Sequence, residues 1–346
     1  MQSMDCWNFL VTFEANVKIR AASSLSKPFE NLSPEIILSA LESVGLRPNG
    51  SLLALNSYEN RVYQAQTEDQ GFYITKFYRP GRWNYEAIKE EHDFAFELIE
   101  QEISVVAPER IGGETIFEYA DYYFAVFPRQ GGHPPNLENK DDLEVLSRSI
   151  ARIHAIGSGK SFNHRQEFSV ERLGNSSRRF ILESNFLPPE LVESYASTTE
   201  NLLNNIDSNL IETNQIRIHG DCHMGNVLWR NEISHFVDFD DCLNGPAIQD
   251  LWMLLSGEKE DQLKQIRIIL DAYGEFNNFN ASSLSIIEAL RTLRIIHHAA
   301  WIGRRWEDPA FPLAFPTFNS SKYWSDHILT LREQESKLLE EPLYYL

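Results

Sequence analysis

Ile218-His219-Gly220-Asp221-Cys222-His223-Met224-Gly225-Asn226-Val227-Leu228-Trp229, followed shortly by Phe236-Val237-Asp238-Phe239-Asp240-Asp241, is the stretch around which the chain is organised. An apolar run delivers Asp221, Asn226 follows five residues later, and a second apolar run delivers Asp238 twelve residues after that. The alternation of residues 226–229 and 235–237 about Arg230-Asn231-Glu232 predicts a two-stranded hairpin, which would bring Asp221 and Asp238 to one end. Phosphoryl transfer to a hydroxyl needs these three groups. One carboxylate orients the acceptor O–H, while an amide oxygen and a second carboxylate hold the Mg²⁺ that neutralises the phosphates. This makes Asp221 the base, Asn226 and Asp238 the metal ligands, and Asp221 with Asp238 the catalytic pair.

Two blander readings stand beside this one. Asp and Asn are common turn and cap residues. His219, Asp221 and His223 also form an H-x-D-x-H pattern that could ligate zinc on one strand face. The zinc reading leaves Asn226 and Asp238 unexplained, and no further group is placed to complete a metal-hydrolase site.

Towards the N-terminus, Ser33-Pro34-Glu35 and the apolar residues Ile37, Leu38, Leu41 and Val44 predict a capped helix ended by Gly45. Strand-like runs follow at 51–56, 61–66 and 71–78, with Ala107-Pro108 and 122–128 continuing the small lobe. Lys76, in the third run, stands where a kinase places its phosphate-pairing lysine. The helical period over 84–100 supplies a carboxylate partner, Glu91, with Glu90 as rival. The loop 56–61 lies where a glycine-rich phosphate loop belongs, yet it has no glycine, so nucleotide contact would fall on backbone amides and Ser57. Gln130-Gly131-Gly132 suggests a hinge, and residues 138–157 an amphipathic helix whose His154 is a packed core residue.

Beyond the hairpin, Asp250 stands near a helix start, where it could cap the helix. Residues 260–274 and 282–306 predict two long helices. The second carries Arg291, Arg294, Arg304 and Arg305, either as an outer face or as part of an acceptor groove. Residues 1–27 form a loosely defined extension whose Asp5 and Glu14 argue against a signal peptide.

Composition narrows the class. A net charge of -19 argues against a nucleic-acid surface, and no uncharged apolar run is long enough to span a bilayer. Three cysteines fit reduced thiols in the cytoplasm better than a disulfide framework. Cys222 and Cys242 would be buried and inert, or else a redox-sensitive pair near the metal site.

The H-G-D-x-x-x-x-N motif with its apolar-Asp strand end resembles the aminoglycoside and choline kinase superfamily, where H-G-D replaces the H-R-D of protein kinases. Three further stretches narrow the likeness: Leu55-Asn56-Ser57-Tyr58-Glu59-Asn60-Arg61-Val62-Tyr63, Lys76-Phe77-Tyr78-Arg79-Pro80-Gly81-Arg82-Trp83, and Arg304-Arg305-Trp306-Glu307-Asp308-Pro309-Ala310-Phe311-Pro312. With these the chain resembles the bacterial stress response kinase A (RdoA-type) family over nearly all of residues 33–335. The resemblance implies an α+β, two-lobed protein kinase-like fold, with an antiparallel-sheet N-lobe over 28–130 and a mainly helical C-lobe over 131–346. It also implies a monomeric cytoplasmic Ser/Thr protein kinase using ATP and Mg²⁺, linked to stress. Carried over by position, Ser57 would touch ATP, Asp221 would accept the proton, Asn226 and Asp238 would hold Mg²⁺, and Asp250 with His219 would brace the catalytic loop. A small-molecule hydroxyl kinase is the runner-up, and a nucleotide-binding pseudokinase scaffold is a third reading.

Overall fold

The computed structural model describes residues 27–344, so nearly all of the expected N-terminal extension lies outside the described residues. Ser33 caps α1 (Pro34–Ser43) by accepting from Ile36 N, with Pro34 in the first turn as expected. Five strands follow in an antiparallel sheet of order β1-β2-β3-β5-β4. They are β1 (Pro48–Ala54), β2 (Arg61–Thr67), β3 (Phe72–Phe77), β4 (Phe117–Tyr119) and β5 (Tyr122–Pro128), with α2 (Tyr85–Glu100) between β3 and β4.

The fifth strand is not where the sequence pattern suggested. Ala107-Pro108 lies in an irregular segment, because the backbone just before it is bonded elsewhere: Val106 N donates to Phe236 O, and Phe236 N to Ser104 O. The sheet is completed instead by β4, joined to β5 through Ala120 and Asp121, both with positive φ. A type I′ turn needs that geometry, but neither residue is the glycine or asparagine that would announce it.

The remainder is mainly helical: α3 (Lys140–Gly157), α4 (Ser176–Glu183), α5 (Val192–Asn204), α6 (Ser208–Glu212), α7 (Ile248–Trp252), α8 (Lys259–Tyr273), α9 (Ile287–Arg304), α10 (Ala310–Ala314) and α11 (Ser321–Leu338). Two small ribbons interrupt it. One pairs β6 (Ile216–Ile218) with β9 (Leu243–Gly245), and the other is the hairpin of β7 (Val227–Arg230) with β8 (Ile233–Phe236). Asn231 and Glu232 turn the hairpin with φ 53° and 62°.

One face of the sheet packs Phe77, Phe124 and Val126 on Ile37 and Leu41 of α1, while the other sets Ala125 against Ile88 of α2. Phe94 and Leu98, further along α2, belong instead to the helical core with Leu146, Ile150 and Leu293. Helix α2 is therefore shared between the lobes, which holds its carboxylates at their junction. Among the described residues no helix is long and apolar enough to cross a membrane.

Candidate active site

The loop after β6 carries Asp221, and its shape depends on the residue before it. Gly220 has φ +84°, and a Cβ there would meet Asp241 O at 2.3 Å, so the H-G-D glycine is required both by its backbone and by its neighbour. Asp250 fixes the loop from below. Its Oδ2 accepts from His219 N at 2.8 Å and its Oδ1 from Gly220 N at 2.9 Å. His154 Nε2 lies 3.0 Å from the same carboxylate, so this buried histidine packs under the loop without reaching the site. Asp250 is a brace, as the superfamily resemblance implies, and not a helix cap.

His219 points inward, with Nε2 2.9 Å from Val237 O and its ring 4.5 Å from that of Phe239. His223 Nδ1 accepts from Gly225 N. These rings stabilise the loop, and among the described residues no group of three or more His, Cys, Asp or Glu side chains could hold a metal ion. The zinc pattern is thus taken up by structural contacts.

Asn226 Nδ2 donates to Asp221 O at 2.9 Å, which fixes the side of the amide that carries the oxygen. The hairpin brings Asp238 to the same end, in a left-handed conformation with φ 57°. Its side chain is 46% exposed while that of Asp221 is 1% exposed, so one carboxylate faces the cleft and the other is sunk in its wall. A carboxylate and an amide oxygen are hard donors of the kind Mg²⁺ takes, so the residues present fit that ion.

Lys76 reaches this group from the sheet, where it pairs with Val62 and Ala125. Its Nζ lies 3.1 Å from Glu91, 3.2 Å from Asp238 and 3.1 Å from Asp240. Burial disfavours the ammonium, but Asp240 and Glu91 more than offset this and raise its pKa well above the usual value. Of the two candidate carboxylates on α2 the structure selects Glu91. Glu90 instead accepts the backbone amides of Asn163, His164 and Arg165. Ser57 lies in the β1–β2 loop, where its hydroxyl donates to Asn60 O at 3.2 Å.

Sequence reasoning gave no role here to Arg82 and Arg165, and left Arg294 between an outer face and an acceptor groove. Arg82, 3% exposed, donates to Asp240 and to Asp241, the latter at 2.5 Å. Burial would raise the Asp240 pKa, but Arg82 and Lys76 together hold it below the carboxylate range. Arg165 donates to Cys242 O at 2.6 Å and Ala87 O at 3.0 Å and lies over the ring of Trp83. Asp221 receives Arg294 Nη1 of α9 at 3.0 Å on Oδ1, with His223 Nε2 3.4 Å from Oδ2. Burial would raise its pKa too, but His223 and Arg294 hold it low and ionised. Cys222 and Cys242 are fully buried and burial pushes both thiols up, which leaves no thiolate for redox chemistry.

The three stretches that carried the narrower resemblance converge in space. Glu59, at the β1–β2 loop and 4% exposed, lies 2.8 Å from Arg79 Nε and 2.5 Å from Arg305 Nε, and accepts from Trp301 Nε1 at 2.9 Å. Asp308 receives Arg61 and Arg79, each at 2.7 Å. Tyr58 packs its ring on Phe311 and Phe315. The glycine-free loop is thus clamped to the C-terminal helices by side-chain ion pairs and aromatic contacts.

Fold and site together define a kinase-type phosphotransferase, and the chain belongs to the phosphotransferase enzyme family, which matches residues 51–284. Within it the chain is a member of the stress response kinase A group. It is 41% identical over 316 residues to the stress response kinase A of Escherichia coli, covering 91% of this chain and 96% of that one. It is 40% identical over 315 residues to the serine/threonine protein kinase RdoA of Salmonella typhimurium, covering 91% and 95%. Among solved structures, amicoumacin kinase hAmiN in complex with AMP-PNP and Ca²⁺ superposes with a TM-score of 0.68 at 18% identity, covering 90% of this chain and 94% of that one.

Proposed function

We propose that this protein is an ATP- and Mg²⁺-dependent Ser/Thr protein kinase acting in a bacterial stress response. The observation that carries the reading is the joint placement of Lys76, Glu91, Asp221, Asn226 and Asp238 at one cleft between sheet and helices. The acceptor hydroxyl would donate to Asp221, and its oxygen would attack the γ-phosphorus as the bond to the β–γ bridging oxygen breaks. The hydroxyl proton would pass to Asp221 and ADP would leave. Mg²⁺ on Asn226 and Asp238 would supply charge neutralisation at the phosphates. Lys76, steadied by Glu91, would place the phosphates, with the Ser57 loop above them. Asp238 with Lys76 on one oxygen is ready to exchange that contact for a cation.

Protein as the acceptor class is supported by the name of the Salmonella relative, at 40% identity over almost the whole chain. The solved kinase hAmiN, similar in fold, keeps a small-molecule acceptor as the second reading. The intact site argues against a scaffold without turnover. The deciding experiment supplies labelled ATP and Mg²⁺ to the pure protein with a generic protein acceptor and, separately, aminoglycosides, choline and sugars. Acid-stable label on Ser or Thr, absent in Asp221→Ala, is the expected result; rapid transfer to one small alcohol and none to protein would establish the second reading.

A further inference from the structure

Helix α9 sends one of its arginines into the site. Arg294 Nη1 lies 3.0 Å from Oδ1 of Asp221 and 3.8 Å from the sulfur of Met253, and its side chain is 15% exposed. Other arginines of this segment are engaged elsewhere: Arg291 with Glu288 at 2.8 Å, Arg304 with Ser176, and Arg305 with Glu59. One turn beyond Arg294, the ring of His298 stacks on Trp301 and meets Phe315 edge-on, and Phe315 in turn packs on Tyr58 of the β1–β2 loop. Burial lowers the His298 pKa to about 3, so this ring is uncharged in the neutral range. Between Asp221 and the loop, Arg294, the neutral His298 and the rings of Phe315 and Tyr58 thus follow one another.

We propose that Arg294 is a specificity-determining residue that selects an acceptor whose hydroxyl is flanked by negative charge, namely a Ser or Thr within an acidic stretch of protein. This rests on the protein kinase reading above. A hydroxyl bound to Asp221 lies about 3 Å from the carboxylate, and so within about 6 Å of the guanidinium. Charges on the neighbouring residues of a peptide come within a similar distance. At an effective dielectric near 20, one unit charge about 6 Å away changes transition-state binding by at most about 100-fold, and the opposite charge of Asp221 together with solvent screening reduces this to about 10-fold. An ammonium-bearing acceptor meets a like charge there, Asp221 already holds Arg294, and the exposed carboxylate of Asp238 would be taken up by Mg²⁺ on the reading above. The net charge of -19 repels an acidic acceptor at long range. That repulsion is screened beyond about 8 Å at physiological salt, so contact with Arg294 decides.

The test uses the full chain with ATP and Mg²⁺ and matched seryl peptides that differ only in Asp/Glu, Ala or Lys/Arg flanks. It also includes paired small alcohols, one bearing a phosphate or carboxylate and one an ammonium. Wild type should favour acidic over basic flanks by about 10- to 100-fold in kcat/KM. Arg294→Gln should bring that ratio to within about three-fold, and Arg294→Lys should keep part of it, since lysine preserves charge but not the planar fork. The ratio is internal to each variant, so a general loss of activity does not move it, and a melting curve confirms folding. Equal or reversed preference in wild type, or an unchanged ratio in folded Arg294→Gln, overturns the proposal. If only small alcohols are labelled, the protein kinase reading fails. A preference for the anionic alcohol that Arg294→Gln abolishes would then support charge selection on a different acceptor, and a preference for the cationic one would overturn it.

Discussion

Replacing Glu59 with alanine tests the clamp between the β1–β2 loop and the C-terminal helices. The carboxylate is 4% exposed and lies among three buried guanidiniums, at 2.8 Å from Arg79, 2.5 Å from Arg305 and 3.9 Å from Arg82. Removing one member of a buried ionic cluster costs about 3–5 kcal/mol, because the opposite charges stay buried without it. Arg79 retains Asp308, and Arg82 retains Asp240 and Asp241, so the lower end, about 3 kcal/mol, is expected here. For a chain of 346 residues that corresponds to a fall in Tm of about 4 °C. The loop carrying Ser57 should also lose its anchor, raising the KM for ATP several-fold while kcat falls less. Thermal melting and initial-rate kinetics read both effects. Combining Glu59→Ala with Arg305→Met should give a coupling of at least about 1 kcal/mol. A Tm within about 1 °C of wild type, with unchanged KM, would refute the claim that this cluster holds the loop.

Asp221→Ala and Asp238→Ala should each reduce phosphoryl transfer by ~10²-fold or more with little change in Tm, and Lys76→Ala should also lose transfer; wild-type-like rates in folded Asp221→Ala would remove the assignment. Gly220→Ala places a Cβ 2.3 Å from Asp241 O at φ +84°, so it should lose at least about 3 kcal/mol of stability and shift Asp221, which a melting curve and a transfer assay would detect. Stability should fall with acidification. Burial lowers the pKa of His92 and His298 to about 3 and of His327 to about 4, so between pH 6.5 and 5 the unfolded chain binds protons that the folded chain does not. Each histidine then contributes about 2 kcal/mol of loss by pH 5, partly offset by Glu91 and Asp241, whose raised values favour proton uptake in the folded state. A denaturation midpoint that stays flat from pH 7.5 to 5 would contradict this. Cys222 and Cys242 should resist thiol reagents in the native protein and label on unfolding; peroxide inhibition lost in the Cys222→Ser, Cys242→Ser double variant would show otherwise.

The sequence alone determined the parts of this protein that depend on short-range pattern. Residue spacing specified Asp221, Asn226 and Asp238, and the alternation around Asn231 specified the hairpin that places two of them together. Period and capping located α1, α2 and α3, and the strand character of 72–78 located Lys76. Where local signals were missing, the reading failed: Ala107-Pro108 looked like a strand because its length and composition allowed one, while Phe117–Tyr119 is a strand because its backbone groups find partners in β5. Choosing Glu91 over Glu90 required the packing of α2, since neighbouring helix positions point about 100° apart and only the tertiary contact shows which faces the sheet. The same holds for the charges. Arg61 and Asp308 are 247 residues apart, and Arg294 and Asp221 are 73 apart. No periodicity links residues at such separations. Their meeting follows from how the helical core orients α9 against the loop after β6, and from how α2 is shared between the two lobes, so these charge pairings were settled by tertiary packing and not by local sequence.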